Sequence, residues 1–217
     1  MLSPAPRWPT VVFDLDGTLA DTVDLIVRSY QHALEAVLGV TEDPDVIRSW
    51  IGRTLHDVFA EYAPEHTEAL TATYLGWNEA HTDRLIRPYP GVREVLADLA
   101  AAGVRVGVAT SKRRGSARRA MDALALTEHV QLLVGLEDTS RHKPDPAPVR
   151  LAVDRLGGRT TQAVYVGDAV VDVLAGQAAG TATVAVAWGA GLVESLSLAR
   201  PDVLVHDAEQ LRRLLLG

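Results

Sequence analysis

Two acidic residues stand one position apart in the segment VVFDLDGTLADT, residues 11–22. Asp14 and Asp16 come where an apolar, β-branched run of the chain ends. Carboxylates are rarely buried without a partner, because it is costly to move a charge out of water. The segment is therefore either an ordinary Asp-Gly turn or a site at which positive charge is held.

Three other segments combine polar groups with the ends of apolar runs. Thr110 and Ser111 follow VRVGVA, Asp168 follows AVYVG with Asp172 four residues later, and Lys143 lies in the loop RHKPDP. Each segment alone has an ordinary interpretation, such as a helix cap or a rigid solvated loop. If the apolar runs are parallel strands, however, all of these residues meet at the edge formed by the carboxyl ends of the strands.

Carboxylates that meet at this edge repel one another. Two of them about 4 Å apart repel by roughly 4 kcal/mol at an effective dielectric of about 20. Convergence of Asp14, Asp16 and Asp168 therefore predicts raised pKa values or a bound cation. The donor set is all oxygen, which suits Mg²⁺ better than zinc. Lys143, Thr110 and the amides of the Asp-Gly-Thr turn are suitable partners for phosphate oxygens.

The elements that position these residues alternate between two periodicities. Short apolar runs predict buried strands, and apolar residues at helical spacing between them predict helices. The predicted strands span residues 10–15, 104–109, 130–134, 163–167, 182–187 and 203–205. This alternation predicts an α/β fold, a Rossmann-like parallel sheet with helices on both faces.

One long stretch interrupts the alternation directly after the first strand. Residues 21–87 have helical character throughout, so we expect them to form an inserted α-helical cap domain. The α/β catalytic core is then formed by residues 1–20 and 88–217. The two linkers between core and cap are expected near residues 18–22 and 85–90.

Composition limits the classes of function. The 217 residues carry a formal net charge of −7, which argues against a nucleic-acid or membrane-surface binder. The sequence contains no cysteine, so disulfides and thiolate metal sites are excluded. No apolar run approaches the length of a membrane span and the first residues hold no signal-peptide core, so a cytoplasmic location is expected. Lys112 and Lys143 are the only lysines, and both fall at the predicted edge.

Four motifs resemble those of the haloacid dehalogenase (HAD) superfamily in order and spacing: DLDGTLADT (14–22), VATSK (108–112), KPDP (143–146) and VGDAVVD (166–172). The place of the helical insertion is that of the C1-cap subgroup. Within this subgroup the chain is most similar to phosphoglycolate phosphatase-like hydrolases, and the resemblance covers nearly the whole sequence.

The resemblance implies roles for the four acids. Asp14 would be the nucleophile that forms an aspartyl-phosphate, and Asp16 would be the general acid and base. Magnesium would bind to Asp14, to the backbone carbonyl of Asp16 and to Asp168, with Asp172 in the outer shell of the metal. The second aspartate, Asp16, also separates the chain from the dehalogenases, which lack it.

The resemblance also implies a set of groups that bind the substrate. Thr110 would donate to a phosphoryl oxygen, and Lys143 would neutralise charge on Asp14 and the phosphate. Thr18 and Ser111 are further candidates for substrate binding. Arg53, in the predicted cap, is expected over the active site, where its guanidinium would hold a second anionic group of the substrate.

The implied function is Mg²⁺-dependent hydrolysis of a small phosphorylated metabolite, with phosphoglycolate as first candidate, by a monomer or homodimer. A β-phosphoglucomutase-like phosphotransferase and an inorganic pyrophosphatase are enzymatic alternatives, although residues 50–59 match the basic cap loop of the mutases poorly. Phosphonate hydrolysis needs a cap lysine, and residues 1–111 contain none. A phospho-accepting regulatory protein is the non-enzymatic alternative.

Overall fold

A computed structural model describes residues 6–217; residues 1–5 of the predicted core lie outside the described residues. The strands are β1 (Thr10–Phe13), β2 (Ala20–Asp21), β3 (Arg87–Pro88), β4 (Arg105–Ala109), β5 (Leu132–Val134), β6 (Ala163–Gly167), β7 (Ala182–Val186) and β8 (Val203–Val205). Six of them form one sheet in the order β5-β4-β1-β6-β7-β8, with every neighbouring pair parallel. The predicted α/β class with a parallel sheet is confirmed.

The helices fall into two groups along the chain. They are α1 (Val23–Leu38), α2 (Pro44–Trp50), α3 (Leu55–Tyr62), α4 (Thr67–Leu85), α5 (Val92–Ala101), α6 (Arg114–Ala123), α7 (Ala147–Arg155), α8 (Val170–Ala179), α9 (Val193–Leu198) and α10 (Ala208–Leu216). The first four come in succession between β2 and β3, whereas the others alternate with strands of the sheet. None of the described helices is long and apolar enough to cross a bilayer.

Helices cover both faces of the sheet. Successive side chains of a strand point to opposite faces, so both sets of side chains are buried. In β1, Val11 and Phe13 pack with residues of α5, α6 and α10, whereas Val12 packs with residues of α7 and α8. Full burial of such a side chain contributes about 1.5–3 kcal/mol. Two covered faces explain why the strands are continuous apolar runs, and they leave the strand ends as the place for polar groups.

The helical unit, which we define as α1–α4, has an apolar core of its own. At its centre the buried Tyr30 makes edge-to-face contacts with Trp50, Phe59 and Tyr74, with ring centroids 5.2, 5.2 and 4.8 Å away. Aromatic pairs of this kind contribute about 0.5–1.5 kcal/mol each beyond their burial. The division of the chain into a core and a cap at residues 20/21 and 87/88 stays a prediction.

The chain leaves and re-enters the sheet region through two short strands that lie side by side. β2 and β3 pair antiparallel, with Ala20 opposite Pro88 and Asp21 opposite Arg87. These residues fall within the two segments that the sequence analysis assigned to linkers. The pairing places both connections to the helical unit at one point next to the end of β1.

The end of β1 differs from the prediction of a strand over residues 10–15. The ladder closes with the Asp14 amide donating to the Val166 carbonyl at 2.8 Å, and the chain then turns. The carbonyl of Leu15 accepts the amides of residues 18, 19 and 20 at 3.3, 3.0 and 3.0 Å. This turn needs a residue with positive φ, and Gly17 has a φ of 82°. The turn fixes the direction of Asp14 and Asp16.

Candidate active site

The predicted polar residues meet at the carboxyl edge of the sheet. Asp14 follows β1, Thr110 follows β4, and Asp168 follows β6, three strands that are neighbours in the sheet. Lys143 reaches the same place from the loop before α7. All four side chains are buried. The structure therefore brings together residues up to 154 positions apart in the chain, as parallel strands at a common edge should.

Three carboxylates form the centre of the site. Oxygens of Asp14, Asp168 and Asp172 lie within 4.8 Å of one another, and all three side chains are buried. The pKa of Asp14 is raised to about 7, mainly by burial; Lys143 opposes this rise, and the charges of Asp172 and Asp16 add to it. Burial, followed by the charges of Asp172 and Asp14, likewise raises the pKa of Asp168 well above its usual range. The group thus resists full ionisation without added positive charge.

Lys143 supplies one positive charge to this group. Its Nζ lies 2.9 Å from Asp14 Oδ1 and donates a hydrogen bond of 2.6 Å to Asp172 Oδ1. Burial disfavours the ammonium, but the carboxylates of Asp14 and Asp172 outweigh it and hold the pKa of Lys143 well above its usual range. With one ammonium among three carboxylates, the ionised group keeps two negative charges in excess.

The group fits a hard divalent cation. Asp14 Oδ1 is buried and, although Lys143 is at ion-pair distance, no described group donates a hydrogen bond to it in suitable geometry. The atoms that could coordinate a metal ion here are carboxylate oxygens, the ligands that Mg²⁺ and Ca²⁺ prefer. The space beside Asp168 is kept free of side chains, because a Cβ on Gly17 or Gly189 would come within 2.2 Å of Asp168 Oδ2.

Asp16 lies outside the group of three carboxylates. The sequence analysis expected its carboxylate to converge with Asp14 and Asp168; the structure places Asp172 there instead. Both oxygens of Asp16 accept hydrogen bonds from Lys112 Nζ, at 3.0 and 3.3 Å. The reason is geometric, because the turn at Gly17 directs Asp16 towards the end of β4, where Lys112 follows the strand.

A cavity opens between the sheet edge and the helical unit. Its empty space is about 810 Å³, part of it open to solvent. The sheet side contributes Asp14, Asp16 and Thr110, and the helical unit contributes aromatic residues and Arg53. The lining combines an apolar wall with charged groups on one side, which is usual for a small-molecule site.

Three residues that were predicted to bind substrate have partners within the protein. Thr18 Oγ1 donates to Asp168 Oδ1 at 2.9 Å, so this hydroxyl supports a carboxylate of the central group. Ser111 Oγ donates to the Gly52 carbonyl at 2.8 Å and joins the end of β4 to the helical unit. Arg53 lines the cavity, but its guanidinium also pairs with Glu61 at 2.5 Å.

Two other predicted residues lie where a phosphate could be reached or the acids supported. Thr110 lines the cavity, and its hydroxyl accepts the amide of Lys112 at 3.2 Å, which leaves its proton free to donate. Asp172 accepts hydrogen bonds from Lys143 and, at 3.0 Å, from the Ala169 amide. Asp172 is thus fixed by α8, at whose first turn it stands.

The sequence analysis missed three partners of the acids. Lys112 pairs with Asp16, the Tyr165 hydroxyl lies 3.3 Å from Asp172 Oδ1, and the Ala190 amide donates to Asp168 Oδ2 at 2.7 Å. Lys112 had a detectable signal, as one of only two lysines and at the predicted edge. A backbone amide donor such as that of Ala190 cannot be identified from residue types, because every residue except proline has one.

Known proteins are similar to this chain over most of its length. Residues 11–186 match the family model of haloacid dehalogenase-like hydrolases. The pyrophosphatase PpaX of Bacillus pumilus is 36% identical over 202 residues, covering 93% of this chain and 94% of the relative. The PpaX of Bacillus velezensis is 36% identical over 206 residues, covering 94% and 95%.

Solved structures agree with these sequence matches. The crystal structure of a hydrolase from Pseudomonas syringae superposes with a TM-score of 0.86 at 26% identity, covering 94% of this chain and 96% of that one. A family of enzymes is thereby favoured over the phospho-accepting regulatory alternative. The chain belongs to the haloacid dehalogenase-like hydrolase family and is a phosphatase of that family.

Proposed function

We propose that the protein is a Mg²⁺-dependent phosphatase that hydrolyses a small phosphorylated metabolite through an aspartyl-phosphate on Asp14. The observation that carries this proposal is the position of Asp14. Asp14 lines the cavity, at ion-pair distance from Lys143 and within the group of acids that suits a divalent cation. Phosphoryl transfer needs mainly positioning and charge stabilisation, and these residues supply both.

In the first step an oxygen of Asp14 attacks phosphorus, and the bond from phosphorus to the leaving oxygen breaks while Asp16 gives that oxygen a proton. Asp16 then takes a proton from water, the water oxygen attacks phosphorus, and the bond to Asp14 breaks to release phosphate. Thr110 donates to a phosphoryl oxygen and Lys143 offsets its charge. A cation bound by Asp14, Asp168 and the Asp16 carbonyl would neutralise further charge on the phosphoryl group.

The helical unit serves as a cap over this chemistry. It forms one wall of the cavity, and the hydrogen bond from Ser111 to the Gly52 carbonyl joins it to the sheet side. The paired strands β2 and β3 form the connection about which it would move. Closure would exclude bulk water from the aspartyl-phosphate until one water is placed by Asp16.

Two observations bear on the substrate. Arg53 lines the cavity, and its pair with Glu61 is half exposed and therefore weak, so a second anionic group of a substrate can compete for the guanidinium. Relatives that are 36% identical are named pyrophosphatases, which favours inorganic pyrophosphate. Pyrophosphate and phosphoglycolate both carry a second anionic group, and we propose them as the two substrates to compare first.

The test uses metal-stripped protein with p-nitrophenyl phosphate and then with pyrophosphate, phosphoglycolate and a neutral sugar phosphate at equal concentration. We expect no turnover after exhaustive chelation, recovery with Mg²⁺, and many turnovers per protein chain. The Asp14→Asn protein, purified in parallel, controls for contaminating phosphatases. Full turnover in the presence of EDTA would contradict the metal requirement. Preference for the neutral sugar phosphate would contradict the proposed substrate class and favour a mutase-like specificity.

A further inference from the structure

Lys112 is a charged group of the site to which the reaction described above gives no task. It follows Thr110 and Ser111 at the end of β4, and its Nζ lies 3.0 and 3.3 Å from the two oxygens of Asp16. The side chains of Lys112 and Asp16 are 11% and 12% exposed. Because both charges are mostly out of water, solvent screens their attraction less than that of a surface pair.

The pair determines where the Asp16 carboxylate lies. Asp14, Asp168 and Asp172 lie together beside Lys143. Asp16 lies outside this group and lines the cavity. Among the described residues, Lys112 is the only donor of hydrogen bonds to its carboxylate. Without Lys112, Asp16 would keep only the repulsion of the neighbouring carboxylates and no group that fixes its side-chain rotamer.

The segment that carries Lys112 is itself held on two sides. The Lys112 amide donates to Thr110 Oγ1 at 3.2 Å, and the intervening Ser111 donates to the Gly52 carbonyl of the helical unit at 2.8 Å. Three consecutive side chains therefore face the phosphate position, the helical unit and Asp16. A group placed on so short and anchored a segment is well suited to orient a neighbour.

We propose that Lys112 is a positioning residue, which holds the Asp16 carboxylate at the cavity where it can reach the leaving oxygen and the attacking water. This inference rests on the proposed function, because it assigns Lys112 an effect that acts through Asp16. It differs from substrate binding by Lys112 in a measurable way. A positioning residue changes kcat and has no effect once Asp16 is disabled, whereas a binding residue changes KM in either background.

The test is a double-mutant cycle in the full-length protein with saturating Mg²⁺ and p-nitrophenyl phosphate. The variants are Lys112→Met, Lys112→Arg, Asp16→Asn and the combination of Lys112→Met with Asp16→Asn. Arg118→Met removes an exposed cation of α6 and is the matched control. Steady-state kcat and KM are measured for each variant, and thermal unfolding confirms that each variant is folded.

We expect Lys112→Met to lower kcat about 10- to 100-fold with KM changed less than about threefold, as for the loss of one charged hydrogen bond. Lys112→Arg should recover most of kcat, and Lys112→Met should add less than about twofold to the loss in Asp16→Asn. An equal loss in both backgrounds, or a rise in KM alone, would overturn the inference. Normal activity of Asp16→Asn would instead overturn the proposed role of Asp16.

Discussion

Replacement of Lys143 by Met tests whether this lysine is the internal counter-charge of the site. Its side chain is fully buried, with Nζ 2.9 Å from Asp14 Oδ1 and 2.6 Å from Asp172 Oδ1. Methionine keeps most of the volume and removes the charge. The change leaves three neighbouring carboxylates with no cation from the protein, so we expect both stability and activity to fall.

The expected size follows from these contacts. One contact at about 3 Å contributes roughly 5–6 kcal/mol of attraction at an effective dielectric of about 20, and the cost of burying the ammonium offsets part of it. Removal of one partner of a buried ion pair costs about 3–5 kcal/mol on balance. For a chain of this length, that corresponds to a fall in Tm of about 6–20 °C.

The assay is chemical denaturation of metal-free protein, repeated with Mg²⁺ present. We expect Mg²⁺ to restore more stability to Lys143→Met than to wild type, because the variant has more uncompensated negative charge, and kcat to stay at least about 100-fold below wild type. Arg141→Met is the control, since this cation is in the same loop but 75% exposed, and its loss should change stability by less than about 0.5 kcal/mol. Equal metal-free stabilities of Lys143→Met and wild type would refute the reasoning.

Three further outcomes follow from the site. Asp14→Asn should abolish steady-state turnover, because an amide is a poor nucleophile, while its circular dichroism spectrum stays that of wild type; measurable turnover would exclude Asp14 as nucleophile. Metal-free protein should lose stability, on the order of 4 kcal/mol, as pH rises from about 4 to about 7, because the pKa of Asp14 is raised from 3.8 to about 7 in the folded state. The protonated carboxyl of Asp14 therefore stabilises the fold at low pH, and this contribution is lost as Asp14 ionises. Urea denaturation at several pH values measures the change, and a rise in stability over this pH range would contradict the prediction. Arg53→Ala should raise KM for pyrophosphate and phosphoglycolate about 10- to 100-fold and hardly change KM for p-nitrophenyl phosphate. Equal effects on all substrates would show that Arg53 does not bind a second anionic group.

Local patterns were sufficient to predict most of the sheet. Residues 163–167 and 203–205 are strands at the predicted bounds, because short apolar runs between turn residues leave few alternatives. The pair of β2 and β3 could not be predicted in this way. Each strand has two residues, and their pairing depends on how the intervening helices α1–α4 pack. The short helix α9 (Val193–Leu198) was missed as well, because six residues carry too little periodicity.

The positions of the site residues were easier to predict than their partners. The ends of parallel strands determine that Asp14, Thr110 and Asp168 are neighbours, and this needs only the order of elements. Which acids converge depends on side-chain directions within a turn. Asp172 joins the group because the first turn of α8 directs it back to the Ala169 amide. Asp16 lies outside the group because the turn at Gly17 directs its carboxylate to Lys112, whose Nζ is 3.0 Å away.

The charges of the site predict that its stability and its proposed chemistry depend on the same ions. A fold selected for stability alone would not keep Asp14, Asp168 and Asp172 together out of water. Their three negative charges and the positive charge of Lys143 leave an excess of two, which a divalent cation would cancel. Without a bound cation the pKa of Asp14 is raised to about 7. In a large fraction of the molecules Asp14 is then protonated near neutral pH, and a protonated carboxyl cannot attack phosphorus. The added charge would return Asp14 to its ionised, nucleophilic form, whereas Asp16 lies apart from this group and pairs with Lys112. The separation of the acids into a group of three that suits a cation and a pair of Asp16 with Lys112 is consistent with the different tasks proposed for two aspartates one residue apart.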